Sequence, residues 1–167
     1  MRHLLLLTLL VPPLMGACGF GDDGGGSSNT DAAIDAAIDA PVDAPPTSRV
    51  YEMLLNPALA IPDNNPTGVD ISFSVLGLAT VSSLDVQVDV THTYRGDVRI
   101  ELFRDGSLVE TLKVTSSLDS ADDVKATYTV SAATLGTPLN GTYAVRFTDV
   151  LTSDTGSINL VRLTFHF

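Results

Sequence analysis

Four aspartates lie in segments that the sequence marks as turns or strand ends, and their side chains could bind a hard cation. They are Asp63, Asp97, Asp149 and Asp154. Calcium takes about six to eight oxygen ligands in a flexible geometry, and loops can supply both carboxylates and carbonyl groups. The sequence therefore predicts a calcium site. Capping of turns by the same aspartates stays open as an alternative, because no EF-hand spacing fixes a set of ligands.

Two histidines, His92 and His166, are the candidate general bases downstream of the leader. A hydrolase of the Ser-His-Asp type needs a nucleophile within hydrogen-bond reach of its base. The sequence contains no strained Gly-x-Ser-x-Gly turn that would present such a serine. Alternation in the last strand predicts that His166 faces solvent opposite a buried pair, Phe165 and Phe167. We therefore predict no catalytic residues.

Cys18 is the single cysteine of the chain, and it follows a short apolar leader. Arg2 gives a positive start, residues 4–11 are apolar except for Thr8, and Gly16-Ala17 supply the small residues of a cleavage site. The segment resembles a bacterial lipoprotein signal. This resemblance implies that residues 1–17 are removed and that Cys18 is acylated, with palmitate as a typical label, and anchors the protein. Gly19 in place of aspartate favours the outer membrane of a Gram-negative bacterium; an ordinary secretory leader is the alternative.

Residues 18–48 have the composition of a linker. The net charge of the chain is -11, and no Lys or Arg lies between Cys18 and Arg49, which argues against nucleic acid as a partner. A Gly/Ser stretch leads into the repeat Asp31-Ala-Ala-Ile34, whose aspartates would repel one another along a helix. We predict a disordered stalk of roughly 30 residues that holds the next domain on the order of 30 Å from the lipid.

From residue 49 to residue 167 the apolar residues alternate with polar ones, which is typical of strands with one buried face. Turn signals such as Asp105-Gly106, which favours a tight hairpin, separate these stretches. The pattern predicts about eight strands, near residues 50–55, 69–77, 80–92, 97–104, 107–115, 125–131, 141–149 and 157–167. Eight short strands indicate an all-β fold, an antiparallel β-sandwich of the jelly-roll type.

Four motifs in this order resemble the P domain, or Homo B domain, that follows the catalytic domain of kexin- and furin-like subtilases and of many secreted bacterial peptidases. They are Ile61-Pro62-Asp63-Asn64, His92-Thr93-Tyr94-Arg95-Gly96-Asp97-Val98, Leu139-Asn140-Gly141-Thr142-Tyr143 and Asp154-Thr155-Gly156-Ser157-Ile158. The resemblance implies a jelly-roll sandwich that stabilises a protease and tunes its response to calcium and pH. Tyr143 stands where the family usually has tryptophan.

The resemblance implies a binding or accessory module without catalytic activity of its own, because no room remains for a protease domain in the 167 residues. Its expected partners are the membrane, through Cys18, and a separately encoded serine protease or other envelope protein. One alternative is a protease-associated protein with a serine endopeptidase label inherited from the family. Another is a structural or adhesive lipoprotein, since Arg95-Gly96-Asp97 spells an adhesion tripeptide.

Overall fold

A computed structural model describes residues 45–167 of the chain, and the predicted leader, Cys18 and the linker up to residue 44 lie outside the described residues. Eight strands make up most of the described part. Their bounds are β1 Ser48–Ile61, β2 Val69–Val75, β3 Ser83–His92, β4 Val98–Arg104, β5 Ser107–Lys113, β6 Val124–Ser131, β7 Gly141–Asp149 and β8 Gly156–His166. A 3-10 turn, Arg95–Asp97, precedes β4, and a one-turn helix, Ala132–Leu135, follows β6. Within residues 45–167 no helix is long and apolar enough to cross a bilayer.

The strands form two four-stranded antiparallel sheets, one with the order β1-β8-β3-β6 and the other with the order β2-β7-β4-β5. Nearly every connection crosses from one sheet to the other, which gives the topology of a jelly roll. The exception is the β4–β5 hairpin, whose turn residues Asp105 and Gly106 have φ of 49° and 79°. Both the predicted jelly roll and the predicted hairpin are confirmed.

The core lies between the two sheets and is built by the alternating residues. Every second side chain of β3 from Leu84 to Val90 is buried. The ring of Tyr143, on β7, is fully buried and meets the ring of Phe165 edge-on, with 5.3 Å between the centroids. Its hydroxyl donates to the carbonyl oxygen of Leu139 over 2.9 Å. Tyr143 therefore fills the core and keeps its polar atom bonded, as a buried tyrosine requires.

Two predictions at the ends of the domain were wrong in detail. β1 continues beyond residue 55 to Ile61, across a break in its pairing with β8 between Leu54 and Leu59. The break contains Pro57, which has no N–H to donate and is tolerated because β1 is an edge strand. Phe167 follows β8 and is 45% exposed, so it does not share the burial of Phe165.

The topology brings four loops to one end of the sandwich, which we call the histidine end: residues 62–68, 93–97, 114–123 and 150–155. At this end His92 of β3 pairs with Gly156 of β8, and Val98 of β4 pairs with Asp149 of β7. The backbone N–H of Asn65 donates to the carbonyl oxygen of Asp149 over 2.9 Å, which ties the 62–68 loop to the same place. Most of the motif residues named above lie here.

Candidate functional site

Three of the four predicted aspartates lie close together at the histidine end. Asp97 closes the 3-10 turn, Asp149 ends β7, and Asp154 lies in the loop before β8. Asp149 and Asp154 are close enough for their charges to act on the carboxyl group of Asp97. Asp63 lies in the 62–68 loop with an exposed side chain. The site therefore brings together Asp97, Asp149 and Asp154, and Asp149 contacts the imidazole of His92.

His92 is 1% exposed, and its hydrogen bonds indicate one tautomer of the ring. The backbone N–H of Tyr94 donates to Nδ1 over 3.1 Å, so Nδ1 carries no hydrogen in this arrangement. Nε2 then carries the hydrogen and donates it to Oδ2 of Asp149, over 3.1 Å. The second oxygen of Asp149, Oδ1, accepts the backbone N–H of Leu151 over 3.3 Å. The buried imidazole therefore links β3 to the end of β7 by a hydrogen bond.

This arrangement leaves His92 no free ring nitrogen to accept a proton from a nucleophile. A general base needs an unoccupied nitrogen within hydrogen-bond reach of the group that it deprotonates. His166, the second candidate base, is partly exposed and its Nε2 lies 2.9 Å from Oδ2 of Asp85. Oδ1 of Asp85 accepts the hydroxyl of Thr129, and this hydrogen bond is the main cause that lowers the pKa of that carboxyl. In the described residues neither histidine forms a serine-histidine pair by hydrogen bond.

The Arg95-Gly96-Asp97 turn is built into the domain instead of being displayed on it. Gly96 and Asp97 are buried, and Nε of Arg95 donates to both carboxylate oxygens of Asp119, over 2.8 and 2.9 Å. Lys113 clamps the turn from β5, because its Nζ donates to the carbonyl oxygens of Arg95 (2.6 Å) and Val98 (2.9 Å). The tripeptide is therefore not available as an exposed adhesion sequence.

Glycine is required at position 96 by the close approach of the 114–123 loop. A Cβ atom there would lie 2.7 Å from the carbonyl oxygen of Asp119 and 2.7 Å from Cε1 of Tyr94. Such distances are too short for any side chain without movement of the loop. The backbone N–H of Ser116 also donates to the carbonyl oxygen of Gly96 over 2.8 Å. The motif glycine therefore allows the loop to pack directly on the turn.

Asp97 has the least favourable surroundings of these carboxylates. Its side chain is almost completely buried, and its Oδ1 has no hydrogen-bond partner among residues 45–167. Burial raises the pKa of this carboxyl group, and the negative charges of Asp149 and Asp154 raise it further, while the charge of Lys113 acts in the opposite direction. A buried carboxylate oxygen without a donor destabilises a fold. Oδ1 of Asp97 could therefore accept a hydrogen bond from a donor or a cation that enters from outside.

A cleft of about 220 Å³ opens at this place, and its lining consists of Tyr94, Asp97, Ser117, Leu151, Thr152 and Asp154. The hydroxyl of Tyr94 donates to the carbonyl oxygen of Ser117 over 2.8 Å, which fixes the aromatic ring. Oδ1 of Asp154 accepts the hydroxyl of Thr93 over 2.8 Å. A larger cleft of about 330 Å³ lies over β3 and β6 and contains none of the motif residues. The smaller cleft combines residues of the second and fourth motifs, including two of the predicted aspartates, and is therefore the candidate binding site.

The family model of the proprotein convertase P-domain matches residues 81–165, just over half of the 167 residues, and covers β3 to β8. The chain belongs to the P-domain family. The resemblance predicted from the four motifs is confirmed, and three of those motifs lie wholly within the matched residues.

Curated relatives contain a similar segment within much longer chains. The P domain is similar to part of the transglutaminase-activating metalloprotease of Streptomyces mobaraensis, with 44% identity over 84 residues, which cover 50% of this chain and 11% of that protein. Leupeptin-inactivating enzyme 1 of Streptomyces exfoliatus is 33% identical over 107 residues, 63% of this chain and 24% of that protein. Among solved structures, a serine protease of Aeromonas sobria is similar over 80% of this chain and 29% of that chain, with 16% identity and a TM-score of 0.46.

The predicted calcium ligands of the P domain fit the ion only in part. Asp97 offers an unpartnered oxygen, but both oxygens of Asp149 accept hydrogen bonds and Asp154 accepts one from Thr93. Across residues 45–167 no three histidine, cysteine, aspartate or glutamate side chains are placed to hold a metal ion. Calcium would need backbone carbonyl groups and water to complete its shell. Its binding stays a prediction.

The roles of two residues of the site, Asp123 and Gly156, were not predicted from the sequence. Oδ1 of Asp123, in the 114–123 loop, accepts the backbone N–H of His92 over 3.1 Å, and the N–H of Asp123 donates to the carbonyl oxygen of His92 over 3.0 Å. Gly156 gives room to the imidazole ring, since a Cβ atom there would overlap His92 and lie 2.6 Å from the carbonyl oxygen of Thr91. The position of Gly156 in the fourth motif was a sequence signal for its role. Nothing in the sequence around Asp123 indicated its hydrogen bonds to His92.

Proposed function

We propose that this P domain is a non-catalytic accessory module that binds a separately encoded envelope protease and stabilises it. The match to the P-domain family over β3 to β8 supports an association with proteases, as do the two relatives, which carry a similar segment within a metalloprotease and a leupeptin-inactivating enzyme. The observation that carries the non-catalytic part is the environment of His92. Both of its ring nitrogens are engaged in a buried network, so the imidazole holds the loops in place and does not act as a base.

We further propose that Cys18 anchors the module in the outer membrane through its acyl chains and that residues 18–48 act as the tether. A single acyl chain binds a bilayer only marginally, whereas two hold a protein firmly. A tethered domain meets a partner on the same surface at a high effective concentration, which allows a weak contact to be productive. The anchor would therefore replace the covalent link that joins such a domain to its protease in one chain.

The test measures two activities of the purified full chain. A broad panel of peptide substrates is expected to show no turnover. The half-life of thermal inactivation of an envelope serine protease from the same organism is expected to lengthen when the chain is added. Heat-denatured chain at the same concentration is the control for non-specific protection. Turnover that disappears in His92→Ala would overturn the non-catalytic role, and an unchanged half-life for every envelope protease would overturn the accessory role.

A further inference from the structure

We propose that the cleft beside Asp97 binds an arginine side chain of a partner protein. This inference rests on the proposed accessory function, because a partner must supply the side chain. It assigns that function to one place on the surface and to one chemical group, a guanidinium.

Among residues 45–167 neither carboxylate of the cleft, Asp97 or Asp154, takes part in an ion pair. Asp97 and Asp154 both line the cleft, and Oδ1 of Asp97 is buried without a hydrogen-bond partner. Two cations beside the Arg95–Asp97 turn are already engaged: Arg95 is paired with Asp119, and Lys113 donates its hydrogen bonds to backbone carbonyl groups. A cation from outside would therefore find carboxylates that the fold itself has left short of donors.

The walls of the cleft suit the apolar stem and the planar head of arginine. Tyr94 and Leu151 line it together with the carboxylates, and the ring of Tyr94 is held by its hydrogen bond to Ser117. Leu151 is 51% exposed, so it offers apolar surface for a partner to cover. Guanidinium groups stack on aromatic rings and present five donors in a fixed fork that matches carboxylates, which an ammonium group cannot do.

An organic cation needs fewer ligands than a metal ion does. Calcium requires about six or more oxygen atoms around one point, and the described residues place no three acidic or histidine side chains to provide them. A guanidinium is satisfied by one or two carboxylates and a carbonyl group. The sparse set of Asp97 and Asp154 therefore favours arginine as the occupant.

The experiment follows the backbone amide signals of the ¹⁵N-labelled full chain during titration with N-acetyl-arginine methylamide. We expect saturable shifts at Tyr94, Leu151 and Asp154, with a dissociation constant on the order of 1 mM for so small a probe. The neutral analogue N-acetyl-citrulline methylamide has nearly the same shape, and its affinity should be about tenfold lower. Asp97→Asn should weaken binding of the arginine probe by about the same factor.

Two further variants keep the test decisive. Asp154→Asn should also weaken binding, and it serves if Asp97→Asn does not fold. Asp122→Asn makes the same change of charge on an exposed residue outside the cleft, and its affinity should equal that of the wild type. Equal binding of the arginine and citrulline probes, tighter binding of a lysine probe, or unchanged affinity in both cleft variants would overturn the proposal. Calcium chloride that shifts these amides while the arginine probe shifts none would assign the cleft to the metal instead.

The protease assay separates this inference from the proposed function. A chain that prolongs the half-life of the protease but does not bind the arginine probe would keep the accessory role and lose the arginine site. If the Asp97→Asn variant fails to protect the protease while the Asp122→Asn variant protects it fully, the accessory role and the arginine site are both supported.

Discussion

Replacing Asp149 with asparagine tests whether one buried carboxylate holds the histidine end together. Two donors point at it: Nε2 of His92 lies 3.1 Å from Oδ2, and the backbone nitrogen of Leu151 lies 3.3 Å from Oδ1. Asparagine has the same shape but offers one oxygen and one NH₂ group, so one donor would face another donor. Rotation of the asparagine amide by half a turn only transfers the conflict from one of these two donors to the other. His92 cannot relieve it by changing its tautomer, because Nδ1 already accepts the N–H of Tyr94.

The expected cost follows from this count of donors. Leaving one buried donor unsatisfied costs about 1–3 kcal/mol, and the loss of a charge-assisted hydrogen bond lies toward the upper end. We therefore expect Asp149→Asn to lower the free energy of unfolding by about 2–3 kcal/mol. For a domain of this size such a loss corresponds to a fall in Tm of roughly 6–12 °C.

The assay is urea unfolding of the full chain, followed by far-UV circular dichroism. The midpoint should fall while the slope m stays constant, since the same surface is exposed on unfolding. Asp122→Asn, an exposed residue with the same change of charge, should stay within about 0.5 kcal/mol of the wild type. If Asp149→Asn lowers the free energy of unfolding by less than about 0.5 kcal/mol, the assigned tautomer of His92 and its hydrogen-bonded link to Asp149 are refuted.

Four further predictions concern Asp97, calcium, the lipid anchor and the linker. Asp97→Asn should raise the free energy of unfolding at pH 7, because the pKa of the Asp97 carboxyl is higher in the folded state. Ionisation of such a group destabilises the fold as the pH rises from about 4 through its folded pKa, so the gain in the variant should vanish near pH 3. An equal gain at both pH values would contradict this. If the predicted calcium site is occupied, calcium at about ten times its Kd raises the free energy of unfolding by about 1.4 kcal/mol. Superimposable melting curves in calcium and EDTA, or a shift that survives Asp97→Asn with Asp154→Asn, would reject the site. Cys18→Ser should abolish incorporation of labelled palmitate and release the protein from the membrane fraction, and a wild type that takes up no label would refute the anchor. Limited proteolysis should trim the chain to about residue 48, where β1 begins, and protection across residues 31–43 would show that the predicted boundary is wrong.

The strands that were predicted well are those whose burial is set by local alternation. The run from Leu84 to Val90 has one buried and one wet face, and the structure buries the predicted side chains. The continuation of β1 past Leu54 could not be predicted in this way, because Pro57 interrupts the pattern and the strand is held by pairing with the distant β8. Long-range pairing of this kind is not encoded in the period of a short segment.

The site was predicted in its composition but not in its internal bonding. The turn signals placed Asp97, Asp149 and Asp154 in turns or at strand ends, and the jelly-roll topology brings these positions to one end of the sandwich. The hydrogen bond between His92 and Asp123 joins residues 31 positions apart, and nothing in the local sequence of Asp123 indicates it. Which carboxylates are satisfied and which are not depends on such contacts and is therefore visible only in the folded domain.

The contrast between Asp149 and Asp97 separates a structural role from a binding role within one cluster. Both side chains are buried, but Asp149 accepts two hydrogen bonds, whereas Oδ1 of Asp97 accepts none. Stability alone would favour a neutral residue at position 97, since burial and two neighbouring carboxylates oppose its charge. Departures from this kind of local consistency concentrate at functional sites. A partner that supplies a cation would restore the balance at Asp97, so binding to this cleft and stabilisation of the histidine end would be two results of the same contact.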